Sequence, residues 1–394
     1  MNQVPDRLGR SMIILLAAAS ALGPVAMQIM LPAIPIVRER FEISTGTAQL
    51  TLSLSMFSIA LATLIYGPLA DSYGRRPVML AGIGVTVLGS VLCMMAGSIE
   101  WLIAGRIVQA AGGAVGLVLA RAIVRDVYDA RDSASIIATL AMVMVVMPML
   151  SPLVGGELLV RFDWHSIFYL VAAMSLLMML AMYRLLPETL RHPQPFSGIG
   201  SMLRGFATLL KSRVFTAYVL NSAFISVVFF TFISAAPEVM ISVLHRPPNE
   251  YGYYFIMIPA AFMGGSYTAR AMSTRMGISR MIMSGSVLGL MGIALALVLQ
   301  ISGIKHPLSL FVPVAIATFG NGLSLPNAQA GALNEFPDMA GSASGLTGFL
   351  QMALSALAAQ LVALLFNGTV YPMLLLMLAS ALLSVGAFML VRNR

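Results

Sequence analysis

A chain of 394 residues that is 59% hydrophobic and 10% charged, with a mean hydropathy of +0.91, cannot hide its apolar surface in one water-soluble core. Its single cysteine, Cys93, excludes an internal disulfide, a thiolate zinc site and an iron–sulfur cluster. The net charge of +8 comes from 23 cations, 21 of them arginine, scattered through short connections rather than massed in a stripe; this points to orientation in a membrane and away from nucleic acid.

Windows of about 20 apolar residues place spans near 11–36, 47–69, 77–98, 101–124, 133–156, 165–186, 214–236, 251–270, 281–301, 308–330, 342–366 and 370–391. The first lacks a small-residue cleavage site and reads as a span, not as a removed signal peptide. It carries Gln28 within "VAMQIMLPAIP". After the second span comes "GPLADSYGRRPVML" (67–80), where Gly67 and Gly74 permit tight turning, Asp71 is an anion, and Arg75 and Arg76 supply cations. Span four, "WLIAGRIVQAAGGAVG" (101–116), holds Arg106 and, one turn on, Gln109. A guanidinium at that depth is costly unless paired or wet, so it faces water or a partner, or snorkels to the outer surface.

Arg125 and Asp126 follow at the end of span four. Span five contains "MPMLSPLVGG" (147–156), in which Pro152, Gly155 and Gly156 kink the helix and leave a smooth face. The longest polar gap, 187–213, includes "PETLRHPQPFSG" and reads as a loop between two six-span halves, 1–186 and 214–394. In span seven Asn221, Ile225, Phe229 and Phe232 share a face, with Glu238 beyond its outer end; Tyr254 and Met257 begin span eight and Asn321 lies in span ten. These suit a binding surface that repacks around varied apolar compounds, and equally suit helix packing. The four histidines have no metal-ligand spacing. No nucleophile sits near a histidine and a carboxylate, and no phosphate-binding loop is present, so neither an enzyme, a metal, a cofactor nor direct ATP coupling is expected.

An internal repeat supports the two halves. "RDVYDARDSAS" (125–135) aligns with "NEFPDMAGSAS" (334–344), matching Asp126 to Glu335 and Asp129 to Asp338. Each copy falls between the fourth and fifth spans of its half, so the halves run in the same sense. With both termini cytoplasmic, 17 cations lie inside and five outside, with Arg106 in a span.

The 67–80 segment resembles the gate-loop motif of major facilitator transporters, Pro152 to Gly156 resembles the antiporter motif of that superfamily's exporters, and Arg106-x-x-Gln109 resembles its span-four motif. In order along the chain, "LPAIP", "GPLADSYGRRP", "RDVY", "SPLVGG", "PETL", "YGYYF" and "NEFPDMAG" resemble the bicyclomycin-resistance-type drug:proton antiporters. The resemblance implies an all-α membrane protein of twelve helices with the major facilitator fold, in the bacterial cytoplasmic membrane and monomeric, surrounded by lipid. It implies export of drug-like small molecules in exchange for protons, with the proton gradient as energy source. It also implies that Asp71 locks an inner gate with Arg75 or Arg125 and with the start of span eleven near Ser342.

One column departs. Relatives carry an aspartate where this chain has Gln28, and an amide cannot titrate. Gln28 lies about 26 Å along span one at 1.5 Å per residue, level with Arg106. Either coupling has moved to Glu238 or Asp126, or Arg106 binds an anionic group, making the protein an exporter of an anionic metabolite or siderophore-like compound.

Overall fold

The computed structural model describes residues 9–128, 130–190, 198–336 and 339–392, and among these the regular structure is helical. Asp129, Asp338 and residues 191–197 of the polar gap lie outside the described residues. The helices are α1 (Arg10–Gln28), α2 (Ile34–Arg40), α3 (Thr45–Tyr73), α4 (Arg75–Met94), α5 (Ile99–Val127), α6 (Ala130–Arg161), α7 (His165–Leu185), α8 (Gly198–Leu210), α9 (Arg213–Glu238), α10 (Pro248–Phe255), α11 (Met257–Met276), α12 (Ile278–Ile301), α13 (Leu308–Glu335), α14 (Ala340–Leu364) and α15 (Tyr371–Arg392). Among the described residues, eleven stretches are long and apolar enough to cross a membrane. The remaining expected span, 251–270, is divided at Ile256 between α10 and α11. Ser266, Thr268 and Arg270 lower its hydropathy, but the 20 residues of α11 still extend about 30 Å, the thickness of a bilayer core.

Helices α3, α5, α6 and α13 overrun the expected spans by about a turn, because hydropathy marks the hydrocarbon layer and a helix continues into the headgroups. The stretch 67–80 is therefore helical on both sides of one residue: Asp71 lies in the last turn of α3, Arg75 starts α4, and Gly74 alone joins them at φ +102°. The same device recurs between α11 and α12, where Gly277 has φ +80°. Glu238 likewise lies inside a continuous span, Arg213–Val243, because α9 runs directly into a π-helical turn, Val239–Val243. The 187–213 segment read as a loop contains the amphipathic helix α8.

The first span breaks for a stated chemical reason. Pro32 and Pro35 have no N–H to give the carbonyls one turn back, so α1 stops at Gln28, a 3₁₀ turn spans Leu31–Ala33, and α2 resumes at Ile34.

The chain forms two compact units, Met1–Glu42 with Leu50–Ser197, and Ile43–Gln49 with Gly198–Arg394. In the first, helices meet through glycine, as expected where lipid removes the hydrophobic drive to associate. A Cβ on Gly23 would come within 2.7 Å of the Gly113 carbonyl, and one on Gly116 would overlap the Ala19 carbonyl, so α1 and α5 touch backbone to backbone. In the second unit Gly285, Gly292 and Gly320 bring α12 onto α13, and Gly265 and Gly322 bring α11 onto α13. Gly116→Ala is expected to force α1 off α5 and cost a few kcal/mol, on the scale of overpacked cores (about 1–3). The check is the monodisperse fraction and thermal unfolding midpoint in detergent, with Gly97→Ala, where a Cβ meets nothing within 4 Å, as control.

Candidate functional site

Three carboxylates converge on the α3–α4 joint of the first unit. Arg75 Nη1 donates to Asp71 Oδ1 at 2.5 Å and its Nε donates to Asp126 Oδ2 at 2.9 Å, linking α3, α4 and α5. The Thr189 hydroxyl also donates to Asp126 Oδ2, at 3.1 Å. Glu188 takes the start of α4: Oε1 accepts from the Arg75 N–H at 2.9 Å and Oε2 from the Arg76 N–H at 3.2 Å. Gly74 has no side chain to cap that helix, so a carboxylate from beyond α7 satisfies the orphan donors and meets the positive end of the dipole. Arg76 is occupied elsewhere, donating to the Tyr183 carbonyl at 2.8 Å with its guanidinium over the Tyr183 ring. Arg125 is exposed and forms no ion pair among the described residues, so Asp71 is matched by Arg75 and not by Arg125. The Arg75 side chain is 10% exposed against 46% for Asp71, so the cluster is held at its cation and open at one acid.

A Cβ at Gly74 would lie 2.5 Å from Glu188 Oε2 and would also sit at a left-handed φ. Gly74→Ala is therefore expected to displace the Glu188 cap and destabilise the joint by about 1–3 kcal/mol. Glu188→Gln, which keeps an acceptor, should lose less, and the two unfolding midpoints compared side by side check the assignment.

The second assembly surrounds the break in α1. Arg106 is 2% exposed; its Nη1 donates to the Ala26 carbonyl at 2.9 Å and to Gln109 Oε1 at 2.5 Å. Gln109 Nε2 donates in turn to the Ser90 hydroxyl at 2.8 Å, and Ser90 donates to the Thr86 carbonyl. Because α1 ends at Gln28, the Ala26 carbonyl lacks its intrahelical donor, and the negative end of α1 faces the guanidinium. Gln28 is buried too, but no hydrogen bond joins its amide to Arg106 among the described residues. The backbone thus does part of what a span-one carboxylate would do. In this arrangement the guanidinium is enclosed: Nη1 is engaged, and Nε is buried with no hydrogen-bond partner among the described residues. Beyond the break, α6 presses on the chain: Gly155 is packed so closely on the Ile29 carbonyl that a Cβ there would overlap it. Pro152 lies within α6 and Gly156 is buried in it.

In the second unit the expected positions separate into two groups. Asn221 is fully buried and its Nδ2 donates to Ser286 Oγ at 3.1 Å and to the Ser384 carbonyl at 2.9 Å, tying α9 to α12 and α15. That is a packing role. Asn321 is buried in α13, and its Nδ2 has no hydrogen-bond partner among the described residues. Phe232 and Tyr254 meet on Phe311, with ring centroids 5.3 and 5.5 Å away, and Tyr251 stands 6.2 Å from the same ring. Ile225 is buried, Phe229 is half-buried against Phe230, and Met257 is half-buried at the start of α11. Glu238 is 4% exposed, the one buried carboxylate among the described residues, and accepts from the Ser242 hydroxyl at 2.6 Å across the π-helical turn. Phe311, Tyr251, Ser90 and Glu188 were not singled out from the sequence. Only Glu188 had a readable signal, as an acid directly after a span and opposite a helix that begins without a capping side chain.

The profile of the Major Facilitator Superfamily matches residues 16–359. The chain belongs to that superfamily. It is 28% identical over 384 residues to a bicyclomycin resistance protein homolog of Haemophilus influenzae, covering 97% of this chain and 96% of that one. It is 29% identical over 356 residues to multidrug resistance protein D of Escherichia coli, covering 90% and 89%. It is 30% identical over 380 residues to YdgK, an uncharacterized MFS-type transporter of Bacillus subtilis, covering 95% and 93%. A peptide transporter crystallised with sulfate superposes with a TM-score of 0.78 at 14% identity, covering 99% and 96%. A bacterial homolog of the lysosomal transporter Spinster, inward-facing and occupied, superposes with a TM-score of 0.77 at 16% identity, covering 97% and 96%. These structural likenesses establish the fold. This major facilitator protein is a multi-pass membrane transporter of small molecules and not an enzyme.

Proposed function

We propose that the protein exports drug-like small molecules in exchange for protons by alternating access of its two six-span halves, 1–186 and 214–394, joined by 187–213. It does so as a monomer in a bacterial cytoplasmic membrane with both termini inside. The resistance-protein relatives support the substrate class. The observation that carries the coupling is Glu238. Gln28 cannot titrate, Asp126 is held by Arg75 and Thr189, and Glu238 is the buried acid, hydrogen-bonded across an irregular helical turn of a span. The Asp71–Arg75–Asp126 cluster supplies the inner latch. The cluster locks the inner gate, and its rearrangement releases it.

A binding screen of neutral, cationic and anionic compounds from about pH 5 to about pH 8 tests this reading, on the native protein, Glu238→Gln and Gln28→Asp. Affinity should depend on pH in the native protein, lose that dependence in Glu238→Gln, and gain a second dependence in Gln28→Asp. Identical pH profiles for the native protein and Glu238→Gln would remove Glu238 from the coupling.

A further inference from the structure

Helix α8 carries one broad apolar arc, and the fold covers only one edge of it. Phe206 and Leu209 are buried. A Cβ at Gly205 would lie 3.4 Å from Met339 Cε, and after α8 the Ser212 hydroxyl donates to Glu335 Oε1 at 3.2 Å. This inner face therefore fastens α8 to the connection between α13 and α14. Leu203, Ala207 and Leu210 recur at spacings of four and three, which places them on one side of a helix, and all three are exposed; Leu203 is 56% and Leu210 46% exposed. Beside that stripe stand Arg204 and Lys211, with Arg213 at the start of α9; all three are exposed and none forms an ion pair among the described residues.

The position of α8 decides what covers the stripe. Leu210 is three residues from Arg213, where α9 starts its passage through the bilayer, so α8 lies at the level of the headgroups. An apolar stripe bordered by cations at that level matches a helix lying in the interface, with leucines among the acyl chains and guanidinium and ammonium groups among phosphates. We infer that α8 is a docking surface for the anionic lipid of the adjoining leaflet. Through Gly205 and Ser212, lipid bound there bears on the α13–α14 connection. This surface is independent of the substrate and of Glu238.

The test uses the full chain in lipid vesicles, with an environment-sensitive dye on Ala207→Cys; the native Cys93 is fully buried and stays in place. Vesicles are phosphatidylcholine alone or with about one third phosphatidylglycerol, and either lipid is brominated near the headgroup in turn. Brominated lipid should quench the dye in both vesicles. Brominated phosphatidylglycerol should quench about two-fold more than brominated phosphatidylcholine at equal mole fraction, and the double variant Arg204→Gln with Lys211→Gln should bring that ratio to about one. Three outcomes would overturn the inference: a dye reached by aqueous iodide and untouched by brominated lipid, quenching that ignores both phosphatidylglycerol and the variants, or quenching that instead follows the protein-to-lipid ratio, which would assign the stripe to a second copy of the chain.

Discussion

Arg106→Met is expected to leave the protein folded, with an unfolding midpoint close to the native one, while cutting transport at least ten-fold. A guanidinium that is 2% exposed and balanced by carbonyl oxygens carries a large desolvation cost. Methionine, an apolar side chain of similar length, removes that cost but leaves the Ala26 carbonyl and Gln109 Oε1 without their donor, so the two effects on stability oppose one another. What the variant loses is the bond from Nη1 to the Ala26 carbonyl, which fastens the broken end of α1 to α5 and, through Gln109 and Ser90, to α4. A charge-assisted hydrogen bond is worth about 1.5–3 kcal/mol. As a bias between two conformations, that is roughly ten-fold to hundred-fold in their populations. Midpoint and transport rate measured on the same preparation separate the alternatives. A collapse in stability with transport lost in proportion would make Arg106 a structural residue.

Glu238→Gln is the second substitution with a large expected effect. Glutamine keeps an acceptor for the Ser242 hydroxyl, so α9 and its π-helical turn should survive and binding should persist. The side chain no longer exchanges a proton. Gradient-driven accumulation should therefore fall to about the ratio of one that equilibration gives, while downhill counterflow of substrate continues. Accumulation and counterflow from the same vesicles check this pair of outcomes, and accumulation at the native level would place the coupling proton elsewhere.

Much of the architecture was legible because span-length apolar windows report directly on a bilayer. The ends of the helices were not, since α3, α5 and α9 continue through polar residues that hydropathy counts as loop. Gly74 was recognised as a turning residue; that it is the whole turn depends on Glu188, more than 100 residues away, which supplies the cap. Arg106 and Gln109 were legible as costly groups in a span, and the structure does join them. From the sequence Arg106 was expected to face water or an unnamed partner, or to snorkel, with Gln28 at its level; beside Gln109 the acceptor found is the Ala26 carbonyl, a backbone group that no side-chain pattern can reveal. Its cause, the two prolines of "LPAIP", was in view throughout. In the second unit, the shared helical face could not tell Asn221, whose donors are spent on Ser286 and Ser384, from a residue left available, and Phe232 packs on Phe311 of another helix.

The central claim is that movement of a compound through this protein is tied to movement of protons. A pH jump across proteoliposomes loaded with a lipophilic cationic dye such as ethidium tests it most directly, with the membrane potential clamped. The account predicts dye movement against its own concentration gradient while the pH gradient lasts, a matching change in luminal pH, and neither in Glu238→Gln. Dye that merely equilibrates, at the same rate with and without the gradient, would contradict it.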